Sequence, residues 1–130
     1  MKTATLEWIA KAEEDWSVAQ SLAQSLARRR RKPVHNSVCY HCQQYAEKYL
    51  KARLEAAGVL IFKSHDLPHL LTLVIPHEPL WAGMSLALLN LNQYAVKFRY
   101  PGHDADDQQA KDALKDCRAF RKIARAAFGL

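Results

Sequence analysis

Four stretches of this chain space their apolar residues alternately three and four apart, and that rhythm restricts the fold more than any other feature. In residues 5–27 the series is Ile9, Ala12, Trp16, Ala19, Ala23 and Leu26. In 37–57 it is Val38, Cys42, Tyr45, Tyr49, Ala52 and Ala56, widened by Cys39, Ala46, Leu50 and Leu54. From Leu80 onward it is Trp81, Met84, Leu88, Leu91, Ala95 and Phe98. From Asp104 onward it is Ala110, Ala113, Cys117, Phe120, Ala124 and Ala127. A period near 3.6 puts each series on one face of a helix, so each helix has one face that must be covered. Leu86 and Leu89 lie off the seam of the third series, so that helix is either interior or turned toward a partner subunit.

The breaks between these stretches have local causes. Pro33 ends the first helix, since proline cannot continue a helix and disfavours helical geometry in the residue before it. Asn36 or Ser37 is the expected cap of the second, and Gly58 its stop. Ser64 or Asp66 can cap a short helix over 66–75 whose first turn tolerates Pro68. Pro76 and Pro79 bracket a turn, and Tyr100-Pro101-Gly102 separates the last two long helices. Residues 59–62 favour a strand but lack a partner strand. Short connections favour antiparallel neighbours. The expected fold is therefore all-α: one domain over residues 1–130, an up-and-down four-helix bundle with a short additional helix.

Composition narrows the function classes. There are 130 residues, 49% hydrophobic and 25% charged, with a formal charge of +6. No apolar run approaches the ~18 residues of a membrane span, and no secretory h-region follows Lys2. Three cysteines, an odd count, without such a signal suit reduced thiols and a cytoplasmic location. The positive balance permits an acidic partner such as nucleic acid. Its densest point is the run Arg28-Arg29-Arg30-Arg31-Lys32, either a solvated helix end or a phosphate-contacting patch.

Cys39-Tyr40-His41-Cys42 has the outline of a CxxC site. It lies inside a predicted helix on its apolar side, without a preceding strand or a second ligand pair. Packed thiols are the simpler reading, and no metal or other cofactor is expected. Gln43, Glu47 and Lys51 form a polar stripe at i, i+4, with Glu47 before Lys51 in the favourable order. His65 and His69 are four apart without the glutamate of a zinc-protease motif. In Arg99-Tyr100-Pro101-Gly102-His103, a guanidinium and an imidazole meet at a helix junction. Arginine binds phosphate bidentately and histidine titrates near neutrality, so the pair suits either cleavage of RNA by its own 2′-hydroxyl or, more simply from spacing alone, an Arg paired with an acidic neighbour and a His at a helix start.

Several separated blocks resemble the HEPN family (higher eukaryotes and prokaryotes nucleotide-binding), in its small stand-alone prokaryotic form. They are Trp8, Ala12, Asp15 and Ala19; the run Cys39-Tyr40-His41-Cys42-Gln43-Gln44-Tyr45-Ala46-Glu47-Lys48-Tyr49-Leu50-Lys51; Ser64-His65-Asp66-Leu67; and Arg99-Tyr100-Pro101. The resemblance implies a helical up-and-down bundle and a homodimer with the end of the fourth helix near the two-fold axis. Active members are metal-independent RNases using an Arg and a His four to six residues apart, contributed by both protomers. Many of those are toxins paired with a small nucleotidyltransferase antitoxin. Here three residues separate Arg99 from His103, so Arg99 and Tyr100-Pro101 carry over while the catalytic role of His103 stays open.

Three functions follow as expectations. The first is a nucleotide- or RNA-binding homodimer that works with a minimal nucleotidyltransferase partner. In it Arg99 and Tyr100 contact the ligand, and Lys48, Lys51 and His65 are further candidates from the matching blocks. The second is an endoribonuclease toxin using Arg99 and His103. The third is a helical interaction module without catalysis.

Overall fold

The computed structural model describes residues 1–27 (side chains as far as 24), 34–60, 63–98 and 100–130. The basic run at 28–32, Leu26 as a core residue, and Arg99 therefore lie outside the described residues. Five α-helices appear among those described: α1 (Thr3–Ala27), α2 (His35–Ala56), α3 (Leu67–Val74), α4 (Ser85–Asn92) and α5 (Asp107–Ala127). The all-α bundle with a short additional helix is the fold observed.

α2 is the central element. α1 packs against one side of it, α5 against another, and α3 near its C-terminal half. α4 packs on α5, and α1 and α4 share no contact among the described residues. Directions follow from side-chain pairs. Asp15 meets His41 and Lys48 while Lys2 reaches the carbonyl of Glu55, so α1 and α2 are antiparallel. Trp81 packs on Phe120 in an edge-to-face pair at 5.3 Å, and α4 runs against α5. The core runs through Trp16, Tyr45, Tyr49, Leu50, Leu54, Leu88, Leu91 and Phe120, all on the expected seams.

Two helix ends differ from expectation for identifiable reasons. α2 starts at His35, and neither Asn36 nor Ser37 caps it. Val34 occupies the cap position without a side-chain bond, and Asn36 is used for another contact. α5 starts at Asp107 rather than 104. Asp106 caps it and Gln109 returns the bond, a full capping box. The C-terminus of α2 closes as expected. Gly58 takes φ +72°, its N–H reaches the carbonyl of Glu55, and the N–H of Val59 reaches that of Leu54.

The largest difference concerns the helix expected over 80–98. It is three pieces: a 3₁₀ turn Pro79–Met84, α4, and a second 3₁₀ turn Gln93–Ala95. Pro79 starts the first turn, whose Trp81 inserts beside Phe120. The tighter rise of 3₁₀ segments changes which residues face inward. Leu88 and Leu91 stay buried, while Leu86 is 70% and Leu89 57% exposed. The helix is therefore not wholly interior, since Leu86 and Leu89 stand in the open.

Candidate functional site

The turn after α4 is built for display. Tyr100 and His103 are exposed, and the N–H of His103 donates to the Tyr100 carbonyl at 3.4 Å. Pro101 precedes Gly102, whose φ of +88° is left-handed, as the third position of a type II turn requires. The chain beyond it is fixed from α2. Asn36 donates to the Asp104 carboxylate at 2.9 Å and accepts from the Ala105 N–H at 2.6 Å. The capping box at Asp106 follows directly, so the turn leaves a rigid base.

A cavity of about 280 Å³ is lined by Asn36, Ser37, Tyr40, Tyr94 and Phe98, so it shares Asn36 with the anchor of the segment after the turn. Tyr94 and Phe98 stack at 5.6 Å, and the Lys97 ammonium lies 5.5 Å from the Phe98 ring. Burial, then the nearby Cys39 and the acidic groups of α5, push the Tyr94 phenol up to about 12. It is a neutral hydroxyl at physiological pH. An aromatic wall with amide, hydroxyl and ammonium groups at its edge suits a flat heterocycle carrying negative charge.

Lys48, Lys51 and His65 stand elsewhere, in two polar clusters along α2. The Asp15 carboxylate accepts from His41 Nδ1 at 2.7 Å and from Lys48 Nζ at 2.6 Å, fastening α1 to α2. Glu47 accepts from Gln43 at 3.3 Å, Lys51 at 3.1 Å and His65 Nδ1 at 2.9 Å, fastening the segment before α3. Lys51 also lies 5.6 Å from the Trp8 ring. Lys51 and His65 are thus brought together on Glu47, with Lys48 nearby on Asp15. Lys51 is fifteen residues beyond Asn36, about 22 Å along the helix axis at 1.5 Å per residue. Within one protomer, that lysine does not share a cleft with the Tyr100–His103 turn.

Three further features complete the inventory. Cys39, Cys42 and Cys117 are free and buried. Burial, then the neighbouring Cys42, pushes the Cys39 thiol up to about 12, and burial raises Cys117 as well. Neither Cys39 nor Cys117 is poised as a thiolate. Among the described residues, no group of three or more His, Cys, Asp or Glu side chains is arranged to hold a metal ion. No helix among them is long and apolar enough to cross a membrane.

One cluster escaped the sequence reading. Between α1 and α5, Glu13 accepts from Arg121 Nε at 3.1 and 3.2 Å and from Arg125 at 2.7 Å. The Arg118 and Arg121 guanidiniums lie 5.7 and 5.4 Å from the Trp16 ring. Cations at the end of a helix suit its dipole, which gives these arginines a purely local explanation. Their spacing of three and four, opposite Glu13 and Trp16 three apart, was the signal that they share a face.

The family model describing the HEPN domain matches residues 5–127. Neither the curated proteins nor the solved structures contain a significant match to this chain.

Proposed function

Because the chain belongs to the HEPN family, whose members have nucleotide- and RNA-related functions, we propose that it is a nucleotide- or RNA-binding homodimer acting with a minimal nucleotidyltransferase partner in a toxin–antitoxin-like pair. The reading rests chiefly on one observation: the segment directly after the exposed Tyr100–His103 turn is anchored to Asn36, which also lines an aromatic cavity. Arg99 and Tyr100 contact phosphate, and the ring of the ligand lies against Tyr94 and Phe98. The exposed Leu86, Leu89 and Val96 precede the turn on the same segment. Pairing those faces across a two-fold axis places two such turns side by side. Lys48 and the exposed His65 are secondary contacts. Lys51, buried on Glu47, serves the fold. Buried reduced thiols fit a cytoplasmic location.

The exposure of His103 favours a second reading, a metal-independent endoribonuclease. His103 takes the proton of a ribose 2′-hydroxyl while the 2′-oxygen bonds to phosphorus. The bond to the 5′-oxygen breaks and that oxygen takes up a proton, leaving a 2′,3′-cyclic phosphate. Arg99 neutralises the charge on phosphorus-bound oxygens.

Single-stranded RNA incubated with the protein in EDTA separates the readings. The binding reading expects Arg99→Ala to weaken RNA binding about tenfold or more, the scale of a charge-assisted hydrogen bond. The endoribonuclease reading adds cleavage that His103→Ala abolishes. If RNA and nucleotides neither bind nor are cut, the interaction module is what remains.

A further inference from the structure

We propose that the cleft between α1 and α5 is a separate phosphate-binding site that recognises the charged backbone of RNA and not its bases. It is an open groove of about 580 Å³ lined by Glu13, Trp16, Ser17, Gln20, Arg118, Arg121 and Arg125. Three guanidiniums against one carboxylate leave an excess of two positive charges. The carboxylate holds Arg121 and Arg125 in place without using all of their donors. Arg118 makes no ion pair among the described residues and is positioned by the Trp16 ring. Guanidiniums pre-oriented by a rigid neighbour lose little freedom on binding, and their planar fork matches a phosphate edge.

The hydroxyls of Tyr45 and Tyr49 are fully buried, and that of Tyr49 lies within hydrogen-bonding reach of Tyr45 and Arg125. The Tyr45 ring packs on Trp16 at 6.1 Å and on Tyr49 at 5.0 Å. Both phenols feel the charge of Glu13, and burial keeps them protonated. The groove thus keeps uncommitted guanidinium donors on its rim. Trp16 itself is 6% exposed and lies against two guanidiniums, so it offers no free ring face for a base. Phosphate oxygens are what the groove can read, and binding should be indifferent to base identity.

This site is separate in location from the Tyr100–His103 turn, and its test is read at its own side chains. The Trp16 indole N–H and the Arg118 and Arg121 Nε–H resonances are followed by NMR during titrations. The probes are inorganic phosphate, AMP, ten-residue oligo-U and oligo-A, and a polyglutamate peptide, each with wild type, Arg118→Gln and His103→Ala. Both oligonucleotides should move these signals with equal affinity, and His103→Ala should leave that response unchanged. Arg118→Gln, a change at an exposed residue that preserves the fold, should weaken RNA binding several-fold and lower its salt slope by about one. Phosphate or AMP moving the signals as well as RNA would identify a terminal or free phosphate as the source, within the same site. The proposal is overturned if no phosphate-bearing probe moves these resonances, if Arg118→Gln binds as wild type does, or if polyglutamate binds more tightly than RNA. The last result would assign the cleft to an acidic protein partner.

Discussion

Replacing Glu47 by alanine tests whether the polar stripe of α2 is part of the fold or part of a ligand site. The Glu47 side chain is 5% exposed and that of Lys51 8%. Removing the carboxylate leaves an ammonium in the interior with the Trp8 ring as its remaining neighbour, and also releases Gln43 and His65. Breaking a buried pair by deleting one member costs about 3–5 kcal/mol. Lys51 lines a groove of about 520 Å³ beside Trp8 and Lys63, so water can reach it. The Trp8 contact also survives. Both considerations favour the lower end, about 3 kcal/mol. Unfolding entropy is about 2.1 cal/mol/K per residue, so for this chain the loss lowers Tm by about 11 °C.

The assay is urea denaturation and thermal melting followed by circular dichroism. The double variant Glu47→Leu/Lys51→Met removes both charges and keeps the volume, so it should recover most of the loss, since a well-packed apolar pair replaces a buried ion pair at little cost. A loss below about 1 kcal/mol for Glu47→Ala, the range of exposed pairs, would refute the reasoning. So would a double variant no more stable than Glu47→Ala.

If the proposed homodimer pairs through this face, Leu86→Glu combined with Leu89→Glu should yield monomer with its helical content intact, measured by analytical ultracentrifugation and circular dichroism. An unchanged dimer would move the interface elsewhere. Asn36→Ala removes both contacts to Asp104 and Ala105 and should lower stability by about 1–3 kcal/mol, through the unpaired Ala105 N–H; urea titration measures it, and a loss below 0.5 would show that the turn is held by other means. Stability should fall as pH rises from about 9 toward 12. Cys39 and Tyr94 have folded pKa values raised above their ordinary ones, so the unfolded chain releases those protons first and gains relative to the folded one. Melting at pH 8 and 11 checks the sign, and an equal or higher Tm at pH 11 would contradict it.

The long helices were legible because a single periodicity, repeated in each, is decided locally: Val38 to Ala56 follow one face whatever surrounds them. α4 was not legible in that way. Its apolar residues fit one continuous helix, and what divides it is the tertiary packing of Trp81 against Phe120 and the constraint at Pro79. The caps show the same division. Asp66 bonds a backbone group three residues away and is an expected cap; Asp106 bonds in the same way, two residues later than the start expected at Asp104. Asn36 has the same preference for a cap but bonds to residues 68 and 69 positions distant, which no local pattern records.

The polar motif residues raise a similar problem for reading a site. Gln43, Glu47 and Lys51 look like an exposed ion-paired stripe, and the structure buries all three. The explanation is His65, which closes over Glu47 from the segment before α3, while α1 lays Trp8 across Lys51. The residues that make the family resemblance easiest to see are therefore largely those that join α1, α2 and the start of α3. Such joints tolerate little change because each buried partner depends on the other. A ligand-binding turn needs only exposure, a fixed base and the right few groups, and it leaves a fainter trace in sequence. Exposure without competing partners is what separates Tyr100 and His103 from Lys51.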